Sequence, residues 1–390
     1  MYRNFRFDVI SSRNKSRLGV LKTPHGDVQT PAFIFCGTKA SVKGVFPEQL
    51  KKAGSQIILS NTYHLFSYPG SAHIKNRGGL HKFTGWNGAM LTDSGGFQIF
   101  SLGHGSVSDE IKGKRSGSPT LAKIEEDGAV FRSYWDGSEQ LLTPEKSIKI
   151  QRDLGADLIV AFDECTPYHG DKKYTEESME RSHRWEKRSL EEFKKSNDFS
   201  QALYGVVQGG VHDDLRKCSA HFVNDHPFFG AAIGGTLGSS KEQMYEVVEM
   251  AAVELDSSRP IHLLGIGGIS DIFRAVELGV DSFDCVHPTR IARHGGALVK
   301  GEHRDAIGRE HINLKRSQYD VDDSPIEPDC DCNTCQTFTR AYLHYLLKAN
   351  ELLALSAIAV HNIRFMNRLM EEIRAGIAQG NLDEMKKKWI

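Results

Sequence analysis

The chain alternates short apolar runs with longer amphipathic segments. The apolar runs are rich in β-branched residues, show no strict alternation with polar residues, and end abruptly in polar residues or glycine. Strands with this pattern are typical of a parallel sheet that is buried on both faces. Eight runs share it, at residues 30–38, 55–61, 89–96, 156–164, 202–210, 229–235, 261–268 and 281–290.

Helix-like segments separate several of these runs. Their apolar residues recur at three- and four-residue spacing, and acidic or hydroxyl residues stand near their starts. The segments are 143–155, 175–196, 240–255 and 270–279. Eight parallel strands that alternate with amphipathic helices predict an α/β protein with a closed (β/α)8 TIM barrel.

Two stretches depart from this alternation. Residues 104–142 are turn-rich and strongly charged, so we interpret them as an inserted β-rich segment, such as a hairpin. From about residue 325 the chain carries a cysteine cluster and then a long helical region. We therefore predict a barrel domain over 1–325, an appended subdomain over 326–365, and a C-terminal helix over 366–390 that packs on the barrel.

Composition narrows the class of protein without identifying it. The 390 residues carry a formal net charge of −1, so any surface that binds nucleic acid must be a local positive patch. The start has no apolar core of signal-peptide length, and the longest apolar stretch, 352–360, is too short to span a bilayer. Seven cysteines, of which three are clustered, do not resemble a secreted disulfide framework. We expect a cytoplasmic protein with no membrane partner.

Polar residues and glycines stand where the predicted strands end. Working residues of (β/α)8 barrels lie at the carboxyl ends of the strands, so we expect these side chains to meet in one pocket. A single aspartate at a strand end caps a helix or orders a loop about as often as it does chemistry, but seven strands that end in such residues favour a carboxylate-based active site. The residues are Asn61, Asp93, Asp163, Gln208, Gly234, Gly235, Gly265 and Asp284.

Such a pocket favours chemistry at a sugar. Two facing carboxylates serve as nucleophile and general acid/base at C1′, through a covalent glycosyl-enzyme. A further aspartate, a glutamine and backbone N–H groups match the hydrogen-bonding edges of a planar heterocycle. Phe97 or Tyr168 would stack on its face, although an aromatic residue at such a place is at least as often part of the core.

Six motifs resemble, in order, those of tRNA-guanine transglycosylase. The resemblance runs from about residue 5 to 375, and motifs of this length rarely agree by chance. The motifs are "TDSGGFQIFSL" (92–102), "FDECTPY" (162–168), "VVQGG" (206–210), "AIGG" (232–235), "GIGGISDI" (265–272) and "FDCVHPTRIARHGGAL" (283–298).

The resemblance implies catalytic and base-binding roles. Asp284 matches the family's nucleophile, which attacks C1′ of the guanosine at wobble position 34 in tRNAs with GUN anticodons. Asp93 matches the general acid/base, and Asn61 a residue that supports it. Those implied to surround the guanine or 7-deazaguanine base are Asn61, Asp93, Ser94, Gly95, Gly96, Phe97, Asp163, Cys165, Gln208, Gly234 and Gly235.

The resemblance also implies a tRNA partner that docks through its anticodon stem-loop. Specific RNA recognition targets loops whose bases can be splayed out, and chemistry on a glycosidic bond requires the base to leave its stack. Taken alone, the run of basic residues after position 289 is more often a solvated face. The residues implied to contact RNA are Gly265, Ile266, Gly267, Gly268, Ile269, Ser270, Asp271, Thr289, Arg290, Ile291, Ala292 and Arg293, and further basic candidates are His294, Lys300, Arg340, Lys348, Arg364 and Arg368.

The cysteine cluster is a candidate metal site. Cys330, Cys332 and Cys335 form C-x-C-x2-C, and from the residues alone either His344 or His361 remains a candidate fourth ligand. Zinc takes thiolate and imidazole in a tetrahedral shell, and a Cys3His set leaves no open position for water, so such a site would be structural. The family pattern implies His361 and one structural Zn²⁺ per subunit.

Several features depart from the family pattern or leave alternatives open. The loop 234–244 lacks the family's usual leucine and glutamate, and Gly238 stands near a position that is glycine in enzymes that take queuine and valine in those that take preQ1. We expect queuine to be favoured, with preQ1 alone as the alternative. His262 and His287 place hydrogen-bonding side chains beside Asp284.

The resemblance implies a homodimer, and a non-catalytic subunit of a heterodimer is the alternative, although such subunits lack parts of the catalytic set that is present here. Two other classes fit less well. A barrel enzyme for a small phosphorylated substrate would need no cysteine cluster. A zinc hydrolase would need a His-x-His at the first strand, which this chain lacks.

Overall fold

The computed structural model describes residues 1–99, 122–167, 170–195, 199–235, 237–304 and 308–390. Its strands are β1 (Arg6–Arg13), β2 (Ser16–Thr23), β3 (Gly26–Thr30), β4 (Ala32–Cys36), β5 (Ile57–Ser60), β6 (Ala89–Thr92), β7 (Ala122–Ile124), β8 (Ala129–Arg132), β9 (Glu139–Leu142), β10 (Leu158–Val160), β11 (Ala202–Val207), β12 (Gly230–Ile233), β13 (Ile261–Leu263), β14 (Ser282–Cys285), β15 (Gly296–Leu298) and β16 (His311–Asn313).

The helices of the described residues follow most of the barrel strands. They are α1 (Pro47–Lys52), α2 (Thr62–Ser67), α3 (Ser71–Lys75), α4 (Gly79–Thr84), α5 (Pro144–Leu154), α6 (Lys172–Lys194), α7 (Asp213–Asp225), α8 (Lys241–Ala252), α9 (Ile269–Glu277), α10 (His287–Ala292), α11 (Asn333–Thr337), α12 (Arg340–Lys348), α13 (Leu352–Gln379) and α14 (Leu382–Trp389). No helix in the described ranges has the length and apolar character needed to cross a membrane.

Eight parallel strands close into a barrel, which confirms the predicted TIM-barrel fold. Around the barrel the strands run β4, β5, β6, β10, β11, β12, β13 and β14, and β14 pairs with β4 to close it. The eight runs found in the sequence each contain one of these strands. Polar side chains start the following helices as expected: Thr143, Asp171 and Ser240 each accept a hydrogen bond from the backbone N–H three residues on.

An antiparallel sheet of β1, β2 and β3 covers the amino end of the barrel. Phe5, Leu21 and Val28 are buried in one cluster with residues of the barrel strands. The backbone N–H of Gln29 donates to Gln56, which directly precedes β5, so this sheet lies at the end where the barrel strands begin. This sheet was not predicted from the sequence, and it covers the end of the barrel opposite the expected pocket.

The insertion between β6 and β10 is β-rich, as expected. Over 122–142 it forms a three-stranded antiparallel sheet in the order β7, β8, β9, so it holds one strand more than a hairpin. Residues 104–121 of the predicted insertion lie outside the described residues. The sheet packs beside helix α6, where Trp185 Nε1 donates to the backbone carbonyl of Glu126 over 2.7 Å.

The C-terminal part is dominated by the 28-residue helix α13. Asn362 on this helix donates to the backbone carbonyls of Pro288 and Gly296 and accepts from the N–H of Leu298, so α13 is fixed to the segment that follows β14. Helix α14 folds back onto it and buries Trp389 completely. Residue 365 lies inside α13, and the division into domains at 325 and 365 stays a prediction.

Candidate active site

The polar residues at the strand ends converge at the carboxyl end of the barrel. Asn61, Asp93 and Gln208 each directly follow a barrel strand, at the ends of β5, β6 and β11. Asp284 lies within β14, and Asp163 comes three residues after β10. Since parallel strands of a closed barrel end at the same rim, these side chains share one site.

Asp93 is held by neutral hydrogen-bond donors. Its Oδ1 accepts from the backbone N–H of Thr62 over 2.8 Å, and its Oδ2 accepts from Gln98 Nε2 over 3.3 Å and from Asn61 Nδ2. Burial raises the pKa of Asp93 to about 7, and the negative charge of Asp284 adds to that rise. Asp93 therefore exchanges a proton readily near neutral pH.

Asp284 is 8% exposed, and its environment differs from that of Asp93. Its Oδ1 accepts from the backbone N–H of Gly265 over 3.1 Å and lies 3.2 Å from His262 Nε2. The thiol of Cys36 donates to Oδ2 over 3.5 Å. The buried ring of His262 also contacts Ser282 Oγ through Nδ1, at 2.9 Å. These contacts fix the orientation of the carboxylate.

Asp163 and Gln208 form the polar wall of the pocket. Asp163 accepts from Ser94 Oγ over 2.9 Å and from Gln208 Nε2 over 2.6 Å. Burial raises the pKa of Asp163 to about 6, and its hydrogen bonds from Ser94 and Gln208 oppose that rise. The Oε1 atom of Gln208 is buried and has no hydrogen-bond partner among the described residues. An unsatisfied buried acceptor costs free energy, so it is a natural contact for an N–H donor of a ligand.

The glycines at this wall lie so close to neighbouring atoms that the Cβ of any other residue would clash with them. A Cβ on Gly235 would lie 2.3 Å from Gln208 Oε1, and φ at this residue is +78°. A Cβ on Gly96 would lie 2.5 Å from the carbonyl oxygen of Asp163. Gly95, at φ +87°, and Gly234 lie beside them. These positions therefore require glycine for close approach of the backbone.

Three further residues were predicted to contact the base, and they differ in where they lie. Cys165 is buried and lies near the guanidinium of Arg216. Phe97 is 48% exposed at the rim. Tyr168 lies outside the described residues.

Arg216 is a residue of this site that sequence reasoning missed. It is completely buried on α7 and donates to the backbone carbonyls of Val207, Gly210 and Gly234 over 2.9, 2.7 and 2.8 Å. It thereby fixes the carboxyl ends of β11 and β12, which carry Gln208 and Gly235. Nothing local in the sequence indicates this role, because its partners lie 6 to 18 residues away.

The segment 265–271 lines the rim beside Asp284. Gly265 adopts a φ of +76° that presents its N–H to Asp284, and Gly267 packs so closely that a Cβ would lie 2.6 Å from Cys285 Cβ. Gly268 precedes α9, which begins at Ile269, so Ile266 and Ser270 lie on either side of this junction. Asp271 accepts from Tyr245 Oη over 2.7 Å and pairs with Lys241.

The segment 289–293 comes shortly after β14, which carries Asp284, and contains two arginines. Thr289 and Ala292 are buried on α10, Ile291 is half-buried, and Arg290 is exposed. Arg293 is half-buried and lies close to Lys43, whose pKa is lowered by burial and by the positive charges of Arg293 and Lys39. Lys39 and Lys43 follow β4, so they extend this cationic patch along the rim. The sequence analysis did not select either lysine.

Most of the further basic candidates are engaged in internal ion pairs. Lys300 is buried and pairs with Asp329 and Glu372. Arg364 forms a bidentate pair with Asp331 and also contacts Glu371. The remaining pairs are Arg340 with Asp322 and Arg368 with Glu327 and Asp329, whereas Lys348 and His294 are exposed. The three arginines therefore brace the C-terminal part instead of presenting free charge.

The cysteine cluster and His361 meet in one buried metal-ligand set. The Sγ atoms of Cys330, Cys332 and Cys335 lie 3.7, 3.6 and 3.3 Å from His361 Nδ1. The other ring nitrogen of His361 lies 2.8 Å from the carbonyl oxygen of Leu298, which fixes the ring orientation. His344 instead contacts the carbonyl oxygen of Leu314 and is not part of the cluster. All four ligand atoms lie within 4.8 Å of one another, which fits a single metal ion.

Comparisons with known proteins agree with this geometry. The family model for queuine tRNA-ribosyltransferase matches residues 12–390. The chain is 43% identical over 398 residues to the queuine tRNA-ribosyltransferase of Roseiflexus sp. (strain RS-1), covering 99% of this chain and 98% of that protein. It is 45% identical to the enzyme of that name from Thermoanaerobacter sp. (strain X514), with 99% and 96% covered.

A similar level of identity holds for a third relative. The queuine tRNA-ribosyltransferase of Thermus thermophilus is 44% identical over 386 residues, which cover 99% of this chain and 93% of that protein. The match of family model and relatives thus extends over nearly the whole chain, barrel and C-terminal part alike. The chain therefore belongs to the queuine tRNA-ribosyltransferase family, the tRNA-guanine transglycosylases that its motifs resemble, and it is an enzyme of that family.

Proposed function

We propose that this enzyme exchanges guanine at wobble position 34 of tRNAs with GUN anticodons for a 7-deazaguanine base, in queuosine modification of tRNA. The observation that carries the proposal is the pairing of Asp93 and Asp284 at one rim in different environments. Asp284 is oriented by Gly265 and His262, whereas the pKa of Asp93 is raised by burial to about 7. Such a difference suits a nucleophile and a proton carrier.

The exchange proceeds by double displacement. The Asp284 carboxylate attacks C1′ of nucleotide 34, the bond from C1′ to guanine breaks, and Asp93 gives its proton to the departing base. Asp93 then takes the proton from the ring nitrogen of the incoming base. That nitrogen attacks C1′ and releases Asp284, so the enzyme returns to its starting state with a new glycosidic bond on the tRNA.

The polar wall holds the base during both steps. Asp163 presents a carboxylate to base N–H groups, and the free Oε1 of Gln208 accepts a further one. The backbone of Gly235 approaches the base without a side chain in the way. Cys165 and Phe97 border the same space. Since both guanine and a 7-deazaguanine share these edges, one wall serves the leaving and the incoming base.

The tRNA docks on the cationic patch at the rim of the barrel, with its anticodon loop over the pocket. Arg290 and Arg293 come shortly after β14, which carries Asp284, and Lys39 and Lys43 extend the positive patch from Arg293. Phosphate contacts position a nucleic acid, and base contacts read it. Segments 265–271 and 289–293 therefore read the nucleotides beside position 34, while the lysines bind phosphate.

The Cys3His cluster binds one structural Zn²⁺ per subunit. Three thiolates and one imidazole fill a tetrahedral zinc shell, so the ion has no open position for chemistry. Because His361 is on α13 and contacts Leu298 of β15, the ion ties the C-terminal part to the segment that carries Arg290 and Arg293. We propose a cytoplasmic homodimer in which one subunit catalyses and the other helps to orient the tRNA.

Queuine is the favoured incoming base. Gly238 adopts a φ of +101° and offers no side chain beside the pocket, which leaves space for the bulky substituent of queuine. A Cβ there would lie 2.7 Å from Gln243 Cγ, so a valine would require this loop to move. Use of preQ1 alone is the alternative.

Release of labelled guanine tests the proposed reaction and the choice of base. A GUN tRNA carrying labelled guanine at position 34 is incubated with the enzyme, and queuine or preQ1 is added separately. We expect queuine to release the label faster than preQ1. Release with preQ1 but not with queuine would overturn the queuine assignment. Binding of the tRNA without release by either base would show a non-catalytic subunit instead of an exchanging enzyme.

A further inference from the structure

A second group of metal-ligating side chains lies at the amino end of the barrel. His25 is in the turn between β2 and β3, His81 is on α4, and Asp157 directly precedes β10. Each offers one ligand atom, and the three atoms lie within 4.8 Å of one another. This end is opposite the rim that carries Asp93 and Asp284, so the group belongs to neither the catalytic pocket nor the Cys3His cluster.

Both imidazoles converge on one carboxylate. His25 Nδ1 lies 2.7 Å from Asp157 Oδ1, and His81 Nε2 lies 3.3 Å from Asp157 Oδ2. The two rings stack with centroids 3.5 Å apart and an angle of 14° between their planes, so one ring must turn for both nitrogens to direct their lone pairs at one ion. Three separate elements of the fold thus bring their ligand atoms to a common point.

The only titratable partners of the Asp157 carboxylate among the described residues are the two imidazoles. Its side chain is fully buried, and within the described ranges no lysine or arginine forms an ion pair with it. The backbone N–H of Met90 donates to Oδ2 over 2.8 Å, which is a neutral contact. A buried carboxylate is costly unless a cation compensates it. A divalent ion bound by the carboxylate and two neutral imidazoles would supply that compensation.

We propose that His25, His81 and Asp157 bind a divalent first-row transition-metal ion in a second metal site of the chain. Two imidazoles and one carboxylate suit Zn²⁺, whereas Mg²⁺ and Ca²⁺ prefer ligand sets of oxygen atoms only. The side chain of His25 is 41% exposed, so an ion reaches the site from solvent and keeps water in its remaining positions. Residues at this end of a barrel serve stability, so the ion would fasten the β2–β3 turn to α4 and β10.

Protons compete with the ion for the same ligand atoms. His81 Nε2 lies 3.1 Å from the carbonyl oxygen of Gly88, a contact in which this nitrogen carries a proton and donates. The ion requires that nitrogen without its proton, so binding releases protons and weakens as the pH falls. The rival arrangement is a purely hydrogen-bonded group in which both rings donate to Asp157.

Zinc stoichiometry of the full chain separates the two arrangements. The protein with its Cys3His cluster loaded is equilibrated with Zn²⁺, and bound zinc is measured by mass spectrometry. We expect two zinc ions per chain in the wild type and one in His25→Ala. The matched control is His221→Ala, which removes a histidine that pairs with a single carboxylate, Glu254, at the surface and should leave two ions bound. His25→Ala lies in an exposed turn, so loss of folding is not expected.

Cobalt provides an independent readout of the same site. Co²⁺ bound at the Cys3His cluster gives thiolate charge-transfer absorption, whereas Co²⁺ bound by two histidines and an aspartate does not. With the cysteine cluster occupied by zinc, a second equivalent of Co²⁺ should give weak d–d bands without thiolate absorption, and His81→Ala should lose them. A wild type that stays at one metal per chain, or a His25→Ala variant that still binds two, would overturn the proposal.

Discussion

Asp281 at the amino end of the barrel and the acidic residues at its carboxyl end are all buried, but their surroundings differ. At the amino end, Asp281 forms a bidentate ion pair with Arg17, whose guanidinium also donates to the backbone carbonyls of Ser257 and Arg259. Arg17 is itself buried. A charge pair whose remaining donors are all satisfied is a fixed part of the structure, and it leaves no acceptor free for a ligand.

At the carboxyl end, the acidic residues are held by other kinds of partner. Within the described residues no lysine or arginine forms an ion pair with Asp93, Asp163 or Asp284, and their donors are amides, hydroxyls, a thiol and an imidazole. Burial raises the pKa of Asp93 to about 7 and that of Asp163 to about 6. Burial also raises the pKa of Asp281 to about 6, although the charge and hydrogen bonds of Arg17 oppose that rise. A buried aspartate can therefore serve either stability or catalysis, and the residues that contact it indicate which of the two roles it has.

The largest expected effect is loss of activity on removing the nucleophile. Asp284→Asn keeps the shape of the side chain but removes the attacking carboxylate, so the base-exchange rate should fall by a factor on the order of 10³ or more. The free energy of unfolding should change by no more than about 1 kcal/mol. A variant that kept more than a tenth of the wild-type rate would show that Asp284 is not the nucleophile.

At the amino end, a substitution should lower the stability of the protein and leave its activity almost unchanged. Arg17→Met leaves Asp281 buried and unpaired, so the free energy of unfolding should fall by about 3–5 kcal/mol, as measured by denaturant titration. The rate per folded molecule should stay close to that of the wild type. The matched control is Lys22→Met, because Lys22 is exposed and pairs with Asp8 over 3.8 Å, so its loss should change stability by no more than about 0.5 kcal/mol. Equal losses for both variants would contradict the assigned role of Arg17.

The pH dependence of stability sharpens the contrast at the rim. The pKa of Asp93 is about 7 in the folded protein, above its value near 3.9 in an unfolded chain, so the folded state binds the proton more tightly. Stability from this group is therefore full below about pH 4 and is lost as the pH rises through about 7. Between pH 5 and 8, the free energy of unfolding of Asp93→Asn should depend less on pH than that of the wild type. Parallel curves for wild type and variant would exclude the raised pKa.

The smallest effect is expected at His262, which positions Asp284. His262→Phe removes the contact to Asp284 Oδ1, so kcat should fall about 3- to 10-fold, the worth of one hydrogen bond, with KM little changed. His262→Gln keeps an N–H donor of similar reach and should recover most of the loss. If both variants lost activity equally, the ring would serve packing and not the orientation of the nucleophile.

The barrel was predictable from the sequence because each of its parallel strands is a continuous apolar run. The shared location of the polar residues was predictable because parallel strands of a closed barrel all end at the same rim. The sheet of β1 to β3 was missed because its first strand is largely exposed and shows no apolar run. Arg216 was missed because its three carbonyl partners are brought to it only by the fold.

Charge on the surface was the least predictable feature. Arg364 and Arg368 were expected to face RNA. Arg364 instead pairs with Asp331 and Glu371, and Arg368 pairs with Glu327 and Asp329. Lys39 and Lys43 were passed over, although the fold places them at the rim beside Arg293. A linear sequence shows that a side chain is charged but not which opposite charge folds against it.

The most direct test of the account is the identity of the residue that carries the RNA during turnover. The enzyme is mixed with a guanosine-34 tRNA, quenched in denaturant, digested with nuclease and protease, and analysed by mass spectrometry. We predict a ribose-linked adduct on the peptide that contains Asp284, and none from Asp284→Asn. An adduct on the peptide that contains Asp93, or exchange that proceeds in Asp284→Asn, would contradict the assignment of these two carboxylates.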